Sequence, residues 1–220
     1  MSRKLYGVGT GPGDKEFLTL KAVRVIKEAS VIFAPNNRGK NMSLDTASEF
    51  IEGKRIVLID FPMGRVTEED YRRAADIIAA EIKEGESGAF LTIGDPMIYS
   101  TFIYIVDKIK KYYGEVEIEV VPGIPSFIAA ASQSQTVLTV KDDRFLLCDD
   151  FSEDKLDGVD SIAILKTSKN KEEILNSLEE NNFSYKYIRR ATLEEEKILE
   201  DREDILGDKD YISLIIGKRK

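Results

Sequence analysis

Two glycine-rich segments contain the residues of this chain whose types and spacing favour ligand chemistry. Residues 7–14 read GVGTGPGD, and residues 93–101 read IGDPMIYST. Each segment follows a short apolar run and precedes an amphipathic helical pattern. Glycine lets a backbone approach a ligand closely, and open α/β folds bind ligands at the carboxyl ends of parallel strands. The segments therefore predict a ligand cleft at that edge of a sheet or, in a simpler interpretation, tight structural turns.

The first segment does not match the common phosphate-binding loops. Its glycine spacing fits neither the dinucleotide fingerprint nor the P-loop, and no Gly-Lys-Ser/Thr follows it. Pro12 also removes a backbone N–H that a phosphate cradle would use. We therefore expect a different kind of ligand.

Composition limits the chemistry that this cleft could perform. The sequence has no histidine, which removes Ser-His and Cys-His nucleophile pairs, histidine-ligated zinc and a histidine acid–base. Cys148 is the only cysteine, so no disulfide can form within the chain, as is typical of the reducing cytoplasm. The chemistry must come from carboxylates, hydroxyls, tyrosines, backbone dipoles or a bound cofactor, and we expect no metal site in the protein.

The charge and hydropathy of the chain narrow the range of partners. A formal net charge of −8 disfavours nucleic acid, because phosphate contacts need a basic surface. No apolar run approaches the roughly 18–20 residues of a membrane span, and the N-terminus lacks a secretory signal pattern. We expect a cytoplasmic protein without nucleic-acid or membrane partners. An anionic substrate would need local basic residues, for which the candidates are Arg38, Lys40, Arg65, Lys141 and Arg144.

Strand and helix patterns alternate through the first half of the chain. Strand patterns occupy residues 5–9, 31–34, 55–59, 89–93 and 116–121, with amphipathic helical patterns between them. This alternation is typical of a parallel α/β sheet. Asp14 is expected to cap a helix that starts near Phe17, and Ser43 to cap a helix through residues 47–51.

A rigid turn, PGIP at residues 122–125, precedes a more charged and less regular half. It predicts an N-terminal α/β domain over residues 1–121 and a C-terminal α/β domain over residues 122–220. In the second domain we expect helices near residues 129–131 and 171–178, and strands near residues 145–147, 162–165, 185–189 and 211–216.

These segments resemble the tetrapyrrole (corrin and porphyrin) methyltransferases, which use S-adenosylmethionine. The resemblance lies in residues 7–21, 61–63 (FPM), 94–102 (GDPMIYSTF) and 121–126 (VPGIPS). The third stretch is most similar to the members that methylate C20 of precorrin-2 or cobalt-factor II in cobalamin biosynthesis. The resemblance implies two α/β domains, the first with a mainly parallel sheet and the second with a mixed sheet. It also implies a homodimer, and a folded cofactor in a cleft between the domains.

The resemblance implies site residues in both halves of the chain. The Asp95 carboxylate would accept hydrogen bonds from the cofactor, or take the proton that leaves C20 after methylation. The tetrapyrrole substrate, with or without cobalt, would contact Gly9, Thr10 and Arg65. The implied cofactor contacts are Pro12, Ile93, Gly94, Asp95, Ile98, Ser100, Thr101, Ser126, Leu165 and Ala191.

Several of these residues also have a purely structural interpretation. Asp95 could cap the next helix, with Pro96 at its start. Ile98, Ser100 and Thr101 are then expected in the first turn of that helix, where Ile98 could belong to the core. A general base needs reach as well as a suitable pKa, and the sequence supplies neither.

The weaker assignments and the rival functions remain open from the sequence. Ser126 could cap the following helix, and Leu165 and Ala191 could be ordinary strand ends. The implied reaction is displacement at a sulfonium methyl by a ring carbon, for which the protein must mainly align the reactants. The alternatives are a sister enzyme acting on another corrin carbon, diphthine or ribosomal RNA, a non-catalytic cofactor-binding module, or a nucleotide-dependent oxidoreductase.

Overall fold

The chain forms two compact units, Met1–Pro125 and Ser126–Lys220. The computed structural model describes residues 2–36, 41–62, 66–168 and 170–220. Each unit contains one five-stranded sheet. In these described ranges, no helix combines the length and the apolar character needed to cross a bilayer.

The first unit alternates strands and helices, as the sequence predicts. Its elements are β1 (Arg3–Gly9), α1 (Leu20–Glu28), β2 (Val31–Pro35), α2 (Met42–Ala47), β3 (Arg55–Ile59), α3 (Glu68–Glu81), β4 (Ser87–Thr92), α4 (Thr101–Tyr112) and β5 (Val116–Val121). The strand order is β3-β2-β4-β1-β5, and all neighbouring strands are parallel. The predicted parallel sheet is therefore confirmed.

Both faces of this sheet are covered. Phe33 and Phe90 belong to the apolar cluster under α3 and α4, whereas the adjacent Ile32 and Leu91 belong to the cluster under α1 and α2. Successive strand residues point to opposite faces, so burial of both faces produces the near-continuous apolar runs seen in the sequence.

Two helix caps differ from the prediction. Asp14 caps a single 3₁₀ turn, Lys15–Phe17, and Thr19 caps α1. Asn41 rather than Ser43 caps α2, and the Ser43 hydroxyl donates to the Asn41 side-chain oxygen. Each region contains more than one short polar side chain that could cap a helix, and only the folded backbone determines which one lies at the helix start.

The second unit contains a mixed sheet, as expected from the family resemblance. Its elements are α5 (Ser126–Gln133), β6 (Phe145–Cys148), β7 (Ser161–Leu165), α6 (Lys171–Glu180), β8 (Phe183–Arg189), β9 (Lys197–Leu199), α7 (Arg202–Gly207) and β10 (Ser213–Arg219). The strand order is β6-β7-β10-β8-β9, in which β6 and β7 are parallel and the other pairs antiparallel.

The sequence did not predict β9 and α7. Strand β9 has three residues, and α7 has six residues, four of which are charged or glycine. Asp201 stabilises the start of α7 by accepting hydrogen bonds from the N–H groups of Glu203 and Asp204. Such short elements show too little periodicity to be detected in the sequence. They form because contacts in the folded chain stabilise them.

Candidate functional site

The carboxyl ends of three adjacent strands meet at one edge of the first sheet. Strand β1 lies between β4 and β5, with Gly9 opposite Thr92 and Val8 opposite Val121. The segments that follow these strands therefore leave the sheet side by side. We call residues 9–14, 92–100 and 121–125 the three-loop junction. It contains both glycine-rich segments and the PGIP turn that the sequence singled out.

Backbone hydrogen bonds join the first two loops. The Gly94 N–H donates to the Gly11 carbonyl at 2.7 Å, and the Gly11 N–H donates back to Gly94 at 3.3 Å. Both glycines adopt positive φ, 74° at Gly11 and 69° at Gly94, a region that side chains disfavour. The two glycine-rich segments thus form one paired structure and not two separate turns.

The third loop packs against this pair without intervening side chains. A Cβ at Gly9 would lie 2.5 Å from the Gly94 carbonyl oxygen and 2.6 Å from the Gly123 nitrogen. A Cβ at Gly123 would overlap the same oxygen and the Gly9 backbone. The close approach at Gly9 is therefore to other loops of the protein. Its predicted substrate contact stays a prediction, which this packing does not favour.

Asp95 connects the second loop to the third. Its Oδ1 accepts from the Met97 N–H at 2.8 Å, and its Oδ2 accepts from the Gly123 N–H at 3.0 Å. The helix-cap interpretation of Asp95 is wrong, because α4 begins at Thr101 and Ser100 is its cap. Pro96 is accordingly buried in a turn and does not begin the helix. The role of Asp95 in proton transfer remains a prediction.

Two buried hydroxyl side chains hold the ends of the second loop. The Thr10 hydroxyl donates to the Thr92 carbonyl at 3.1 Å, and Thr10 is fully buried. The Ser100 oxygen lies 3.2 Å from Thr92 Oγ1 and accepts from the Phe102 N–H. Ser100 thus precedes α4, contrary to the expectation that it lies in the first turn. Ligand contacts by Thr10 and Ser100 stay predictions.

The remaining predicted residues of the first unit have different degrees of exposure. Pro12 is buried, whereas Ile98 and Thr101 are half-buried, Ile98 before α4 and Thr101 at its first residue. Ile93 is 38% exposed. Three predicted basic residues, Arg38, Lys40 and Arg65, lie outside the described residues.

Two exposed apolar residues of the second loop were missed by the sequence prediction. Met97 is 53% exposed and Tyr99 is 49% exposed. Tyr99 also has φ of 46°, in the left-handed region. The signal that could have identified them is the presence of large apolar residues in a loop between a buried strand and a buried helix.

A corresponding edge in the second unit contains two predicted cofactor residues. Leu165 ends β7 and pairs with Leu214 at the start of β10, and Ala191 follows β8. These three residues share one apolar cluster. We call residues 165–168, 187–192 and 208–214 the second-unit edge. Cofactor contacts by Leu165 and Ala191 stay predictions, as does that of Ser126, the first residue of α5.

A cavity of about 270 Å³ opens beside Leu165 in the second unit. Its apolar wall includes Ile164, Leu165 and Ile174, and its polar wall includes Asp149, which pairs with Lys166 at 3.1 Å. The other lining residues are Asp150, Phe151, Thr167, Ser168, Asn170, Glu173 and Tyr211.

Among the described residues, neither the thiol nor the acidic side chains form a reactive nucleophile or a metal centre. Burial raises the pKa of the Cys148 thiol to about 11, so the thiol is protonated and unreactive at neutral pH. Within the part of the chain that the structure describes, no cluster of three or more acidic or thiol side chains could hold a metal ion.

Comparison with known proteins identifies the family. Residues 4–206 match the family described as Tetrapyrrole (Corrin/Porphyrin) Methylases. The chain belongs to this family. Solved structures show the same fold: a cobalt precorrin-4 methyltransferase has a TM-score of 0.78 at 20% identity, covering 98% of this chain and 94% of that one. A Thermus thermophilus uroporphyrin-III C-methyl transferase complexed with S-adenyl homocysteine has a TM-score of 0.69 at 24% identity, covering 98% and 97%.

Sequence similarity to individual relatives points to a particular branch of the family. The chain is 34% identical over 224 residues to a probable cobalt-precorrin-2 C(20)-methyltransferase of Methanocaldococcus jannaschii, covering 99% of this chain and 96% of the relative. It is 31% identical over 148 residues to the cobalt-precorrin-2 C(20)-methyltransferase of Salmonella typhimurium, covering 64% and 61%. A Sinorhizobium precorrin-2 C(20)-methyltransferase is 25% identical over 238 residues, covering 97% and 94%.

Proposed function

We propose that this protein transfers a methyl group from S-adenosylmethionine to C20 of precorrin-2 or its cobalt-bearing form, in cobalamin biosynthesis. The observation that carries the proposal is the 34% identity to a probable cobalt-precorrin-2 C(20)-methyltransferase over 99% of the chain. The three-loop junction supports it, because it places glycines and backbone polar groups at the sheet edge where α/β folds bind ligands.

The predicted cofactor residues at each sheet edge, taken separately, offer apolar side chains and backbone polar groups to S-adenosylmethionine. In the first unit, Pro12, Ile93, Gly94 and Thr101 are the groups that would hold it, and the positive φ of Gly94 exposes backbone without a Cβ. In the second unit, the candidates are Leu165, with its adjoining cavity, and Ala191. The two predicted residues with buried hydroxyls, Thr10 and Ser100, instead stabilise the loops that present these groups.

The chemistry asked of the protein is mainly alignment. When bound, S-adenosylmethionine would supply a methyl group on a sulfonium, and transfer of that methyl to the ring carbon would release S-adenosylhomocysteine as a neutral thioether. Orientation of two reactants can lower a barrier by roughly 7–11 kcal/mol in the best cases. A rigid, backbone-paired junction suits this task, because its hydrogen bonds fix the loop positions before the reactants arrive.

Asp95 is the proposed acceptor of the C20 proton. The backbone N–H groups of Met97 and Gly123 orient its carboxylate, because each donates to a different oxygen. A carboxylate has about four lone-pair sites, so two hydrogen bonds leave capacity for another proton donor. The half-buried position of Asp95 allows such an approach from the surface.

Isotopic labelling tests the proposal directly. The protein is incubated with methyl-labelled S-adenosylmethionine and, separately, with precorrin-2 and its cobalt-bearing form, and the labelled ring position is mapped. Label at C20 is the expected result. In calorimetry, S-adenosylhomocysteine should bind to the protein and nicotinamide dinucleotides should not bind. Label at another corrin carbon, on diphthine or on RNA contradicts it, and cofactor binding without turnover on any substrate indicates a binding module.

We also propose that the protein is a cytoplasmic homodimer. The homodimer is implied by the family resemblance, and the single cysteine is compatible with a reducing compartment. Light scattering after size exclusion should give twice the chain mass of 24.8 kDa. A mass equal to that of one chain over the micromolar range contradicts the dimer.

A further inference from the structure

We infer that two copies of the chain pair through the open edge of β3, as antiparallel strands related by a twofold axis at Val57. This pairing rests on the homodimer proposed above and names the surface that forms it. The five-stranded sheets of the two first units would then form one continuous sheet.

The two edges of the first sheet differ in character. Strands β3 and β5 are its outer strands. On β5, Glu117 and Glu119 pair with Lys4 at 3.1 and 2.6 Å, and charged side chains of this kind discourage an edge strand from pairing with another chain. On β3, by contrast, Ile56 and Leu58 are 43% and 47% exposed. The β3 edge therefore exposes an apolar stripe, whereas the β5 edge carries charge.

The backbone of β3 directs hydrogen-bonding groups to its open side. The Ile59 carbonyl accepts from the Asn36 N–H at 2.8 Å, so the polar backbone groups of Ile59 face β2. Because these groups alternate between the two sides of a strand, those of Val57 also face β2, whereas those of Ile56 and Leu58 face away. In the described sheet no strand lies beyond β3. The same two residues therefore present both apolar side chains and backbone polar groups.

The order of residues along β3 is self-complementary about Val57. A twofold axis makes the two edges antiparallel. With the axis at Val57, Ile56 lies opposite Leu58 of the second copy, and Lys54 lies opposite Asp60 of the second copy. An axis at Leu58 would place Ile56 opposite Asp60, and an axis at Ile56 would place Leu58 opposite Lys54. The Val57 axis is the one of these three that matches apolar with apolar and positive with negative residues.

The two charged residues are held beside the strand by neutral groups. Lys54 donates to the carbonyls of Lys27 and Ala29, and Asp60 accepts from the Asn36 amide at 2.6 Å. A hydrogen bond to a neutral group does not cancel a charge, so each group still attracts an opposite charge across the axis. Exposed ion pairs contribute little to stability, so this pair mainly selects the register.

The backbone geometry also fits the Val57 axis. Ile56 and Leu58 of the second copy would form a hydrogen-bonded pair, which exchanges both N–H···O=C bonds, and the axis repeats this pair. Val57 and its copy would form the non-hydrogen-bonded pair, in which the Cα atoms lie about 4.5 Å apart. The register therefore satisfies the outward backbone groups of both strands.

Leu58→Lys tests the surface. The substitution places a charge against the apolar stripe twice in each dimer, so we expect the dissociation constant to rise roughly 100-fold. Light scattering at micromolar concentration should then give 24.8 kDa, the mass of one chain, in place of twice that mass. Leu20→Lys is the matched control, because Leu20 is 91% exposed at the start of α1. This control should remain dimeric, and far-UV circular dichroism of both variants should match the parent protein.

Val57→Cys tests the register, and it decides the matter alone if Leu58→Lys does not fold. The expected Cα separation lies in the range of roughly 4.4–6.8 Å that a disulfide spans. Mild oxidation should therefore produce a covalent dimer that a thiol reductant reverses. Glu52→Cys, in the exposed turn before β3, should give no such product. The parent protein, whose Cys148 is buried, should also remain uncross-linked.

Several results would overturn the β3 pairing. They are a monomeric parent protein, a folded Leu58→Lys variant that stays dimeric, equal dissociation of Leu20→Lys, and no cross-link in Val57→Cys. The methylation assay gives a separate answer. A parent dimer that Leu58→Lys dissociates and Val57→Cys cross-links supports the pairing even if C20 is not methylated. Methylation of C20 by a monomeric parent protein supports the proposed reaction and overturns the pairing.

Discussion

The carboxyl edges of the two sheets are constructed in different ways. In the first unit, Gly9, Gly11, Gly94 and Gly123 bring backbones together with no side chain between them. In the second unit, the left-handed positions next to the strand ends are occupied by Lys166 and Arg190, with φ of 58° and 49°. One edge depends on the absence of side chains, whereas the other includes side chains where glycine would be expected.

Polar side chains compensate for this difference in the second unit. The buried hydroxyls of Thr167 and Ser213 lie 3.1 Å apart, and Arg190 donates to Asp210 at 2.7 Å. Asp208 accepts from the Tyr187 hydroxyl at 2.8 Å and from Arg189 at 3.0 Å. The comparison teaches that added atoms should damage the first edge, whereas removed atoms should damage the second.

Gly123→Ala should have the largest effect. The new methyl group would overlap the Gly94 carbonyl and the Gly9 backbone, neither of which can rotate away. We expect a loss of about 3 kcal/mol in the free energy of unfolding, measured by chemical denaturation, and loss of S-adenosylhomocysteine binding. Gly114→Ala is the control, since its Cβ would meet only ordinary contact at 3.9 Å. Equal stability of the two variants would refute the close packing of the junction.

Asp95→Asn tests whether the three-loop junction takes part in the reaction in addition to stabilising the fold. The amide keeps one acceptor but places an NH₂ group near a backbone N–H, so we expect a loss of about 1 kcal/mol in stability. If Asp95 accepts the C20 proton, turnover should fall about 100-fold, equivalent to about 2.7 kcal/mol in the barrier. Asp107→Asn, on the exposed side of α4, is the control. Turnover within twofold of the parent protein would leave Asp95 with a structural role only.

Asp208→Ala tests the second-unit edge by removing a carboxylate that accepts several of its hydrogen bonds. Burial would raise the pKa of this carboxyl, but the Asp210 N–H and the Tyr187 hydroxyl, with Arg189 nearby, lower it below its usual value. The variant leaves a buried tyrosine hydroxyl and a half-buried guanidinium without their acceptor, so we expect a loss of about 2 kcal/mol. Chemical denaturation of Asp208→Ala and of the exposed-site control Glu194→Gln measures the loss in the free energy of unfolding of each variant. A loss no larger than that of Glu194→Gln would contradict the proposed dependence on side chains.

The smallest effect concerns a helix of the first unit rather than its junction. Hydrogen bonds from the Thr67 hydroxyl and N–H, and from Arg73, lower the pKa of Asp70 from 3.8 to about 2. The folded-state pKa is depressed, so this stabilisation is present above pH 3.8 and is lost as the pH falls toward 2.

Thermal unfolding of the parent protein and of Asp70→Asn should therefore differ at neutral pH and converge near pH 2. Glu69→Gln, in the same helical turn but exposed, should show no such convergence. A constant difference between the parent protein and Asp70→Asn across this range would show that the hydrogen bonds from Thr67 and Arg73 do not set the pKa of Asp70.

Much of the first unit could be predicted because its signals are local. The predicted strands are confirmed at β1 to β5, since each is an apolar run bounded by turn residues. The predicted start of α4 was several residues too early, because Asp95, Pro96 and Ser100 are all residues that favour a helix start. The choice among them depends on Gly123, which lies far away in the chain and whose backbone N–H donates to the Asp95 carboxylate.

Less of the second unit and of the site could be predicted. Non-glycine residues with positive φ, such as Lys166 and Arg190, have no signature in the sequence. The exposure of Met97 and Tyr99 also depends on how their loop is fixed by Asp95 and Thr92. These features arise from contacts between segments that are distant in the chain, which periodicity and propensity do not report.

The amino-acid sequence alone determined the alternation of strands and helices, the positions of the glycine turns and the family resemblance. These follow from local periodicity, backbone freedom at glycine and motif similarity. Only the tertiary structure decided that Gly9, Gly94 and Gly123 contact one another, that Asp95 links two loops, and that Tyr99 is both strained and exposed. The physical reason is that a parallel sheet brings the ends of non-consecutive strands together, and the packing at that edge then assigns each side chain its partners.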